Sequence, residues 1–341
     1  MACFLASTSA IGCASSKAAQ PGVVAPEAAQ REPPVPRDAL ALVVGAPESV
    51  VLARASELRA APLFERLRPY VERATCTRID EWDQLVRATS RAVLASRTQG
   101  QSDEWLLVLD GSYTEADLER LLRTAAARTP RTAPAAPITI DRSGRFPVSQ
   151  DDVLAASLLE ARLLVLGNKA WVRAALDAIS HPAPKLSDLP LWTSVAPEVR
   201  CTEQALCVLF AANGSGARGL SHALASAGAK GLGRQLVAAD TALALSLPNG
   251  AELGLHAQLP DQGAAEAAQR DLKDGLWQAG LLTRLAGLPD VLSAARVSVR
   301  GAALHAELSV SESDLARYEQ RAGQLLAGAV REDCGAAPAT P

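Results

Sequence analysis

From Asp38 onward, apolar residues recur along the chain with periods that switch between about two and about 3.6 residues, which predicts alternating strands and helices. Short apolar runs at 39–46 and 205–212 each predict a buried strand. The segment 47–74 has helical spacing and predicts two consecutive helices. The same switching pattern continues to the end of the chain, so the protein is expected to mix strands and helices throughout.

Pairs of apolar runs separated by short polar loops predict hairpins at 91–110, 152–167, 241–259 and 294–310. Patterns with helical spacing lie between and after them, at 114–128, 168–179, 216–237, 261–287 and 311–328. Thr114, Asn168 and Ser311 or Ser313 stand at the starts of three of these helices. Their side chains are predicted to cap the first turn by accepting a backbone N–H.

Both halves of the chain therefore have the order β-α-β-β-α-β-β-α, which contains the core of the ferredoxin-like arrangement. We predict an α+β protein of two ferredoxin-like units in tandem, with antiparallel sheets and helices on one face. The first unit covers residues 38–184, the second covers 200–330, and residues 331–341 form a disordered tail. Low identity between the halves leaves a chance match of element order open, and the two units could share one continuous sheet.

The N-terminus carries a small-residue motif before a cysteine, Ala10-Ile11-Gly12-Cys13, after an uncharged and mostly apolar segment. This motif resembles the lipobox of bacterial lipoproteins, and the resemblance implies a signal peptide at 1–12 and a lipidated Cys13. Ala10 stands where leucine is commoner, and no Lys or Arg precedes the apolar region. A start codon assigned too far downstream would account for the missing basic end, and a chance cysteine in an Ala/Ser-rich tail is the alternative.

Residues 13–37 are rich in Pro, Ala, Gln and Ser without helical or strand periodicity, which predicts a disordered tether after the lipidated cysteine. Stable anchoring takes more than one acyl chain, because each buried CH₂ contributes only about 0.8 kcal/mol. We therefore predict membrane lipid as a partner through multiply acylated Cys13, at the periplasmic side or the cell surface. Ala14, rather than Asp, follows the cysteine, and the resemblance to Gram-negative lipoproteins then implies the outer membrane.

The segment 292–318, "LSAARVSVRGAALHAELSVSESDLARY", also resembles a known class of sequences. Uncharacterised bacterial lipoproteins end similarly, with a glycine-containing hairpin of pattern V-x-V-x-G-x-x-L-x-A-x-L before a last helix. The likeness covers the body loosely and contains no catalytic motif. It supports the lipoprotein interpretation and implies no activity.

Composition and charge narrow the range of partners. The 341 residues carry a formal net charge of −3 with both signs interspersed, which argues against a nucleic-acid partner. No apolar run approaches 18 residues, so no transmembrane helix is predicted.

The spacing Gly214-x-Gly216-x-x-Gly219 matches a dinucleotide-binding fingerprint, and Asp240 follows where a ribose-binding acid would sit. Such a fingerprint opens a unit whose next strand is parallel, whereas the predicted hairpin at 241–259 is antiparallel. The Gly- and Ala-rich composition also produces this spacing by chance. We favour a flexible strand-to-helix loop, and cofactor binding by these residues is the weaker alternative.

The cysteines that remain after loss of the signal peptide and acylation of Cys13 are Cys76, Cys201, Cys207 and Cys334. Outside the cytoplasm such cysteines form disulfides. We predict a bridge between Cys76 and Cys201, with Cys207 as a core thiol. The histidines share no short spacing with each other or with cysteine, so they are interpreted as structural and no metal site is predicted. They are His181, His222, His256 and His305.

These patterns predict a membrane-anchored envelope lipoprotein with a non-catalytic binding or structural role and no cofactor. An envelope protein is its expected protein partner. Two alternatives of other classes stay open. One is a soluble nucleotide-dependent enzyme, using NAD(P), built on the Gly214 loop; the other is a carrier of a hydrophobic ligand, which requires an internal cavity.

Overall fold

The structure, a computed structural model, describes residues 34–62, 65, 83–99, 102–128, 136–181, 183–226, 229–247, 250–285 and 287–326. Within these residues the strands form one antiparallel sheet. Its members are β1 (Ser49–Ala53), β2 (Thr89–Gln99), β3 (Ser102–Gly111), β4 (Thr139–Asp141), β5 (Val148–Gln150), β6 (Leu154–Leu159), β7 (Leu163–Asn168), β8 (Leu206–Phe210), β9 (Asp240–Ser246), β10 (Gly250–Gln258), β11 (Arg296–Arg300) and β12 (Ala303–Ser311).

Helices connect and cover these strands, so the protein has the α+β architecture that the sequence predicts. They are α1 (Ala55–Ala60), α2 (Asp83–Ala88), α3 (Glu115–Arg128), α4 (Lys169–Ser180), α5 (Pro190–Val195), α6 (Ser215–Ser226), α7 (Lys230–Val237), α8 (Gln262–Leu285) and α9 (Glu312–Leu326). Among the described residues, no helix is both long enough and apolar enough to cross a membrane.

The strand order is β11-β12-β10-β9-β8-β1-β2-β3-β7-β6-β5-β4. The two halves meet at the centre, where β1 pairs antiparallel with β8 and Val51 lies opposite Val208. From this pair, each half runs outward with its strands in corresponding order. The chain from Pro34 onward accordingly forms one compact unit, and the sheet is continuous between the halves.

This strand order does not confirm the ferredoxin-like arrangement. In a split β-α-β unit, the two strands joined by a helix are parallel and another strand lies between them. Here the first helical connection of each half joins direct, antiparallel neighbours: β1 pairs with β2, and β8 pairs with β9. β10 and β11, which α8 joins, do have β12 between them.

Helices cover both faces of the sheet, which corrects the prediction of helices on one face. Successive residues of a strand point to opposite faces, and β7 shows the consequence. Val165 packs in the same cluster as Trp171 of α4, whereas Leu164 packs with Leu122 of α3. We call the side of Val165 the front face and the side of Leu164 the back face.

The front face holds the central core, which spans both halves of the chain. Val50 of β1, Leu106 of β3 and Leu209 of β8 are fully buried there, together with residues of α4 and α5. The back face has two separate clusters, one under α3 and one under α7 and α8. The halves are therefore joined mainly through the front face and the β1–β8 pair.

The first strand lies later in the chain than the sequence predicts. The run 39–46 is not a strand: Ala39–Leu42 forms a 3₁₀ turn, capped by the Asp38 carboxylate, which accepts the Leu40 N–H. Gly45 then takes a φ of +79°, a conformation that ends regular extended pairing. The strand is Ser49–Ala53, in a segment predicted to be helical, because its consecutive β-branched valines suit a sheet.

The hairpins β2–β3, β6–β7, β9–β10 and β11–β12 confirm the four predicted hairpins. Two of the predicted caps are also confirmed, since the hydroxyl oxygens of Thr114 and Ser311 accept backbone N–H groups of the following helix. Asn168 precedes α4 but does not cap it. Its side-chain oxygen instead accepts the Trp105 N–H, because β7 lies beside β3 at this point.

Candidate functional site

Two histidines face each other across neighbouring strands on the front face of the second half. His256 on β10 lies directly opposite His305 on β12. Towards the centre, His256 lies opposite Ala242 on β9, and Ala242 lies opposite Leu209 on β8. The two imidazoles thus continue a row that begins with fully buried apolar residues, and Ser298 on β11 follows them at the edge.

The first half holds valines at the corresponding positions. Starting from Leu52 on β1, the row passes through β2 to Val108 on β3 and Val165 on β7. Both valines are fully buried. Counted from the central strand pair, His256 and His305 stand where Val108 and Val165 stand in the other half. A core position that an apolar residue fills in one half therefore carries an imidazole in the other.

The two imidazole rings are in direct contact. Their Nδ1 atoms lie 3.2 Å apart, and the ring centroids are 4.5 Å apart with an interplanar angle of 65°. His256 is only 2% exposed, and its Nε2 has no hydrogen-bond partner among the described residues. A buried polar atom without a partner costs about 1–3 kcal/mol. The pair is therefore not satisfied by the surrounding protein.

Glu198 adds a carboxylate to the histidine pair. It lies in the connection between the halves, just after α5, which packs against β9 and β10. One ligand atom from each of Glu198, His256 and His305 lies within 4.8 Å of the other two. Glu198 is exposed while His256 is buried, so the cluster reaches from the core to the solvent.

The protonation of His256 reflects this environment. Burial lowers its pKa, and the neighbouring His305 lowers it further, while the Glu198 carboxylate acts in the opposite direction. Burial has the largest effect, because it penalises the charged imidazolium. The neutral imidazole, which has a free lone pair, is thereby favoured at neutral pH.

An open groove of about 320 Å³ lies beside this cluster on the front face. Glu198 and Arg200 line one side, and Glu252 and Glu307 of β10 and β12 line the other. The groove gives solvent and small solutes access to the Glu198 side of the cluster.

The glycine loop has a different environment from that of a nucleotide site. In a dinucleotide fold, the helix N-terminus after the glycines receives the pyrophosphate. Here the Glu48 carboxylate accepts the Ser215 N–H at 2.7 Å, so an acidic side chain of the protein takes that position. Burial raises the pKa of Glu48, but the hydrogen bonds from Ser215 and Thr98 outweigh it and hold the pKa below its usual value. Glu48 is therefore ionised at neutral pH.

The topology after this loop also differs from the dinucleotide fold. β9 follows α6 and α7 and pairs antiparallel with β8, whereas the fingerprint needs a parallel strand. Asp240 is engaged within the protein, because its carboxylate accepts the Ala212 N–H at 2.9 Å and the Ser194 hydroxyl at 3.3 Å. Gly214 lies close to Glu48, and Gly216 lies close to Phe210, so these glycines have packing roles.

Alanine substitutions at Gly216 and Gly219 are expected to have opposite effects on stability. A Cβ at Gly216 would lie 2.5 Å from the Phe210 ring and 3.0 Å from Ser49, whereas a Cβ at Gly219 meets nothing within 4 Å. We expect Gly216→Ala to lower the free energy of unfolding by about 1–3 kcal/mol through overpacking. Gly219→Ala should raise it by about 0.5–1 kcal/mol, since alanine favours a helix interior. Urea denaturation of both variants measures the difference, and equal stabilities would contradict this packing role.

Cys201 forms its disulfide with Cys207, which corrects the predicted bridge to Cys76 and the interpretation of Cys207 as a free core thiol. The Cα atoms of the two residues are 5.4 Å apart, and both are buried. The two cysteines lie close together because a tight 3₁₀ turn at Cys201–Glu203 leads directly into β8, which contains Cys207. Cys76, like Cys13 and Cys334, lies outside the described residues.

A second groove of about 790 Å³ lies on the back face of the first half, between α3 and the β4–β5 hairpin. Its lining combines apolar side chains such as Leu118 and Ile140 with charged ones such as Arg123 and Arg142. It is open to solvent, unlike the internal cavity that the carrier hypothesis requires.

The chain matches no known family model and no curated protein sequence. Three solved structures are similar to it: crystal forms III, I and IV of TP0453, at 14%, 15% and 13% identity. They cover 83%, 83% and 82% of this chain and 98%, 97% and 96% of their own chains, with TM-scores of 0.48, 0.46 and 0.45. A likeness at this level assigns neither a ligand nor an activity.

Sequence reasoning missed the cluster of Glu198, His256 and His305 because its members are distant in the chain. His256 and His305 are 49 residues apart, and only the pairing of β10 with β12 brings them together. The hairpins that carry them were predicted, but the pairing between the two hairpins leaves no local signal in the sequence.

Proposed function

We propose that this protein is a lipid-anchored envelope protein with a non-catalytic binding role. The observation that carries the proposal is the lipobox-like Ala10-Ile11-Gly12-Cys13 motif, followed by a polar, Pro-rich stretch before the compact unit that starts at Pro34. On this proposal, the acylated Cys13 inserts into the membrane and the folded body stays outside it.

An exposed apolar surface supports the binding role. Trp277, Leu282 and Leu285, in the C-terminal half of α8, are 64%, 66% and 76% exposed. Large apolar side chains grouped on a monomer surface commonly mark an interaction site. An envelope protein is the partner that we propose for this surface.

The body is proposed to consist of two copies of one unit. The corresponding outward strand orders, β1-β2-β3-β7-β6 and β8-β9-β10-β12-β11, support this proposal. So does the central pair, in which Val51 and Val208 lie opposite each other at the middle of their strands. On this proposal, the second copy carries histidines at two positions where the first copy has the buried valines Val108 and Val165.

The anchor is tested by the intact mass of the mature protein from native membranes, beside a Cys13→Ala variant. We expect a chain that begins at Cys13, carries several acyl groups and fractionates with membranes. The variant should lose the acyl mass and appear in the soluble fraction. An unmodified wild-type chain that still contains the residues before Cys13 would overturn the proposal.

A further inference from the structure

We propose that Glu198, His256 and His305 bind a divalent transition-metal ion, for which zinc is the best match. Two imidazole nitrogens and one carboxylate oxygen form a donor set that zinc uses in proteins when one coordination position stays open. This inference does not depend on the lipid anchor, since all three residues belong to the folded body.

The distance between the histidines fits such a site. Two nitrogens bound at about 2.0–2.1 Å to a tetrahedral zinc ion lie about 3.3 Å apart. The Nδ1 atoms of His256 and His305 are 3.2 Å apart, so they already span one edge of the tetrahedron. The antiparallel pairing of β10 with β12 holds them there, because the two residues are direct cross-strand neighbours.

The carboxylate completes the site from the opposite side. The three ligand atoms lie within 4.8 Å of one another, whereas a tetrahedral edge is about 3.3 Å, so a small inward shift of the Glu198 carboxylate brings it to bonding distance. Glu198 is exposed, and no hydrogen bond or ion pair holds its carboxylate among the described residues, so a change of rotamer achieves this. The groove that Glu198 and Arg200 line lies next to the carboxylate, so water or a small anion has access from this side.

Packing alone does not require imidazoles at these two positions. An ion bound at Nδ1 leaves the buried Nε2 of His256 without a partner, as it is in the ion-free protein, so the support comes from the positions and from the facing Nδ1 atoms. The corresponding positions in the first half, Val108 and Val165, show that valine fills this place in the sheet. Without an ion, the two facing Nδ1 atoms can share only one proton, and one imidazole must donate to the other.

The test uses zinc alone as the probe, on the detergent-solubilised full-length chain without an affinity tag and stripped of metal. The key variant is the double substitution His256→Val and His305→Val, which copies the pair that the first half uses. The control is His181→Ala with His222→Ala, which also removes two histidines but at exposed positions outside the cluster.

We expect calorimetry to find one zinc ion bound per wild-type chain and per control chain. In the valine variant, the affinity should fall by more than about 100-fold, because even the loss of an outer-shell partner costs about 10–100-fold. Zinc should raise the melting temperature of the wild type and leave that of the valine variant unchanged. Glu198→Gln, a surface substitution that leaves the core intact, should weaken zinc binding in the same direction.

Cobalt(II) absorption of the wild type checks the geometry without any variant, since a tetrahedral site gives intense visible bands. Failure of the wild type to bind zinc would overturn the inference, as would equal zinc binding by the wild type and the valine variant. Zinc binding that the control substitutions abolish would place the ion at other histidines and would overturn it as well.

Discussion

Replacing Trp171 with alanine is expected to lower the free energy of unfolding by about 3–5 kcal/mol, the range for a buried tryptophan. Trp171 lies in the first turn of α4 and is only 1% exposed in the front-face core. Its indole Nε1 donates to the buried carbonyl of Val44 at 2.9 Å, which ties the irregular segment before β1 to the helix. The Arg97 guanidinium lies 4.3 Å from the ring centroid and closes the outer side.

Two further substitutions separate the contribution of the Val44 hydrogen bond from that of apolar burial. Trp171→Phe keeps most of the apolar contact but leaves the Val44 carbonyl without its donor, so we expect a loss of about 1–3 kcal/mol. Trp277→Ala removes the same side-chain type from an exposed position and should change stability by about 0.5 kcal/mol or less. Denaturant titration of the three variants measures these differences. Equal losses for Trp171→Ala and Trp277→Ala would contradict the burial of Trp171 at the core.

The sequence predicted those parts of the fold that local periodicity determines. The hairpins and the long helices were found because each buries a repeating set of apolar positions. The prediction of a strand at 39–46 was wrong because a continuous apolar segment fits any buried segment, not only a strand. Here the apolar residues are buried because the 3₁₀ turn at Ala39–Leu42 packs into the front-face core.

The arrangement of strands could not be read in the same way. Pairing of β1 with β8 joins segments about 157 residues apart, and nothing local in either strand encodes its partner. The sequence also could not show that helices cover both faces of the sheet, for a related reason. Leu163 to Leu166 form an unbroken apolar run, which fits a strand buried on both sides, but the run itself does not say which helix covers which face.

The candidate site depends on the same long-range pairing. A histidine in an alternating strand is ordinarily half-exposed, and sequence alone placed His256 and His305 in separate hairpins. Only the β10–β12 register makes them neighbours, and only the connection after α5 brings Glu198 to them. By contrast, the glycine spacing at Gly214 was visible in the sequence but has a packing explanation in the structure.

Replacing Leu209 with alanine is expected to destabilise both halves of the protein together, by about 2–5 kcal/mol. Leu209 is fully buried on β8 and lies opposite Val50 of the first half and Ala242 of the second. The front-face core to which it belongs contains residues from both halves, so the cavity left by the substitution weakens a shared structure. The halves should unfold in one transition rather than in two.

Hydrogen exchange measured strand by strand decides between shared and separate stability. We expect amides of β3 and β7, in the first half, to lose protection in Leu209→Ala to the same extent as amides of β9 and β10. Leu253→Ala, on β10 of the same half but 45% exposed, is the matched control and should change protection little. Loss of protection confined to the second half would show that the halves are energetically independent despite the continuous sheet. In that case, binding of an ion at His256 and His305 would stabilise the second half alone, whereas a shared core would carry that stabilisation to the first half as well.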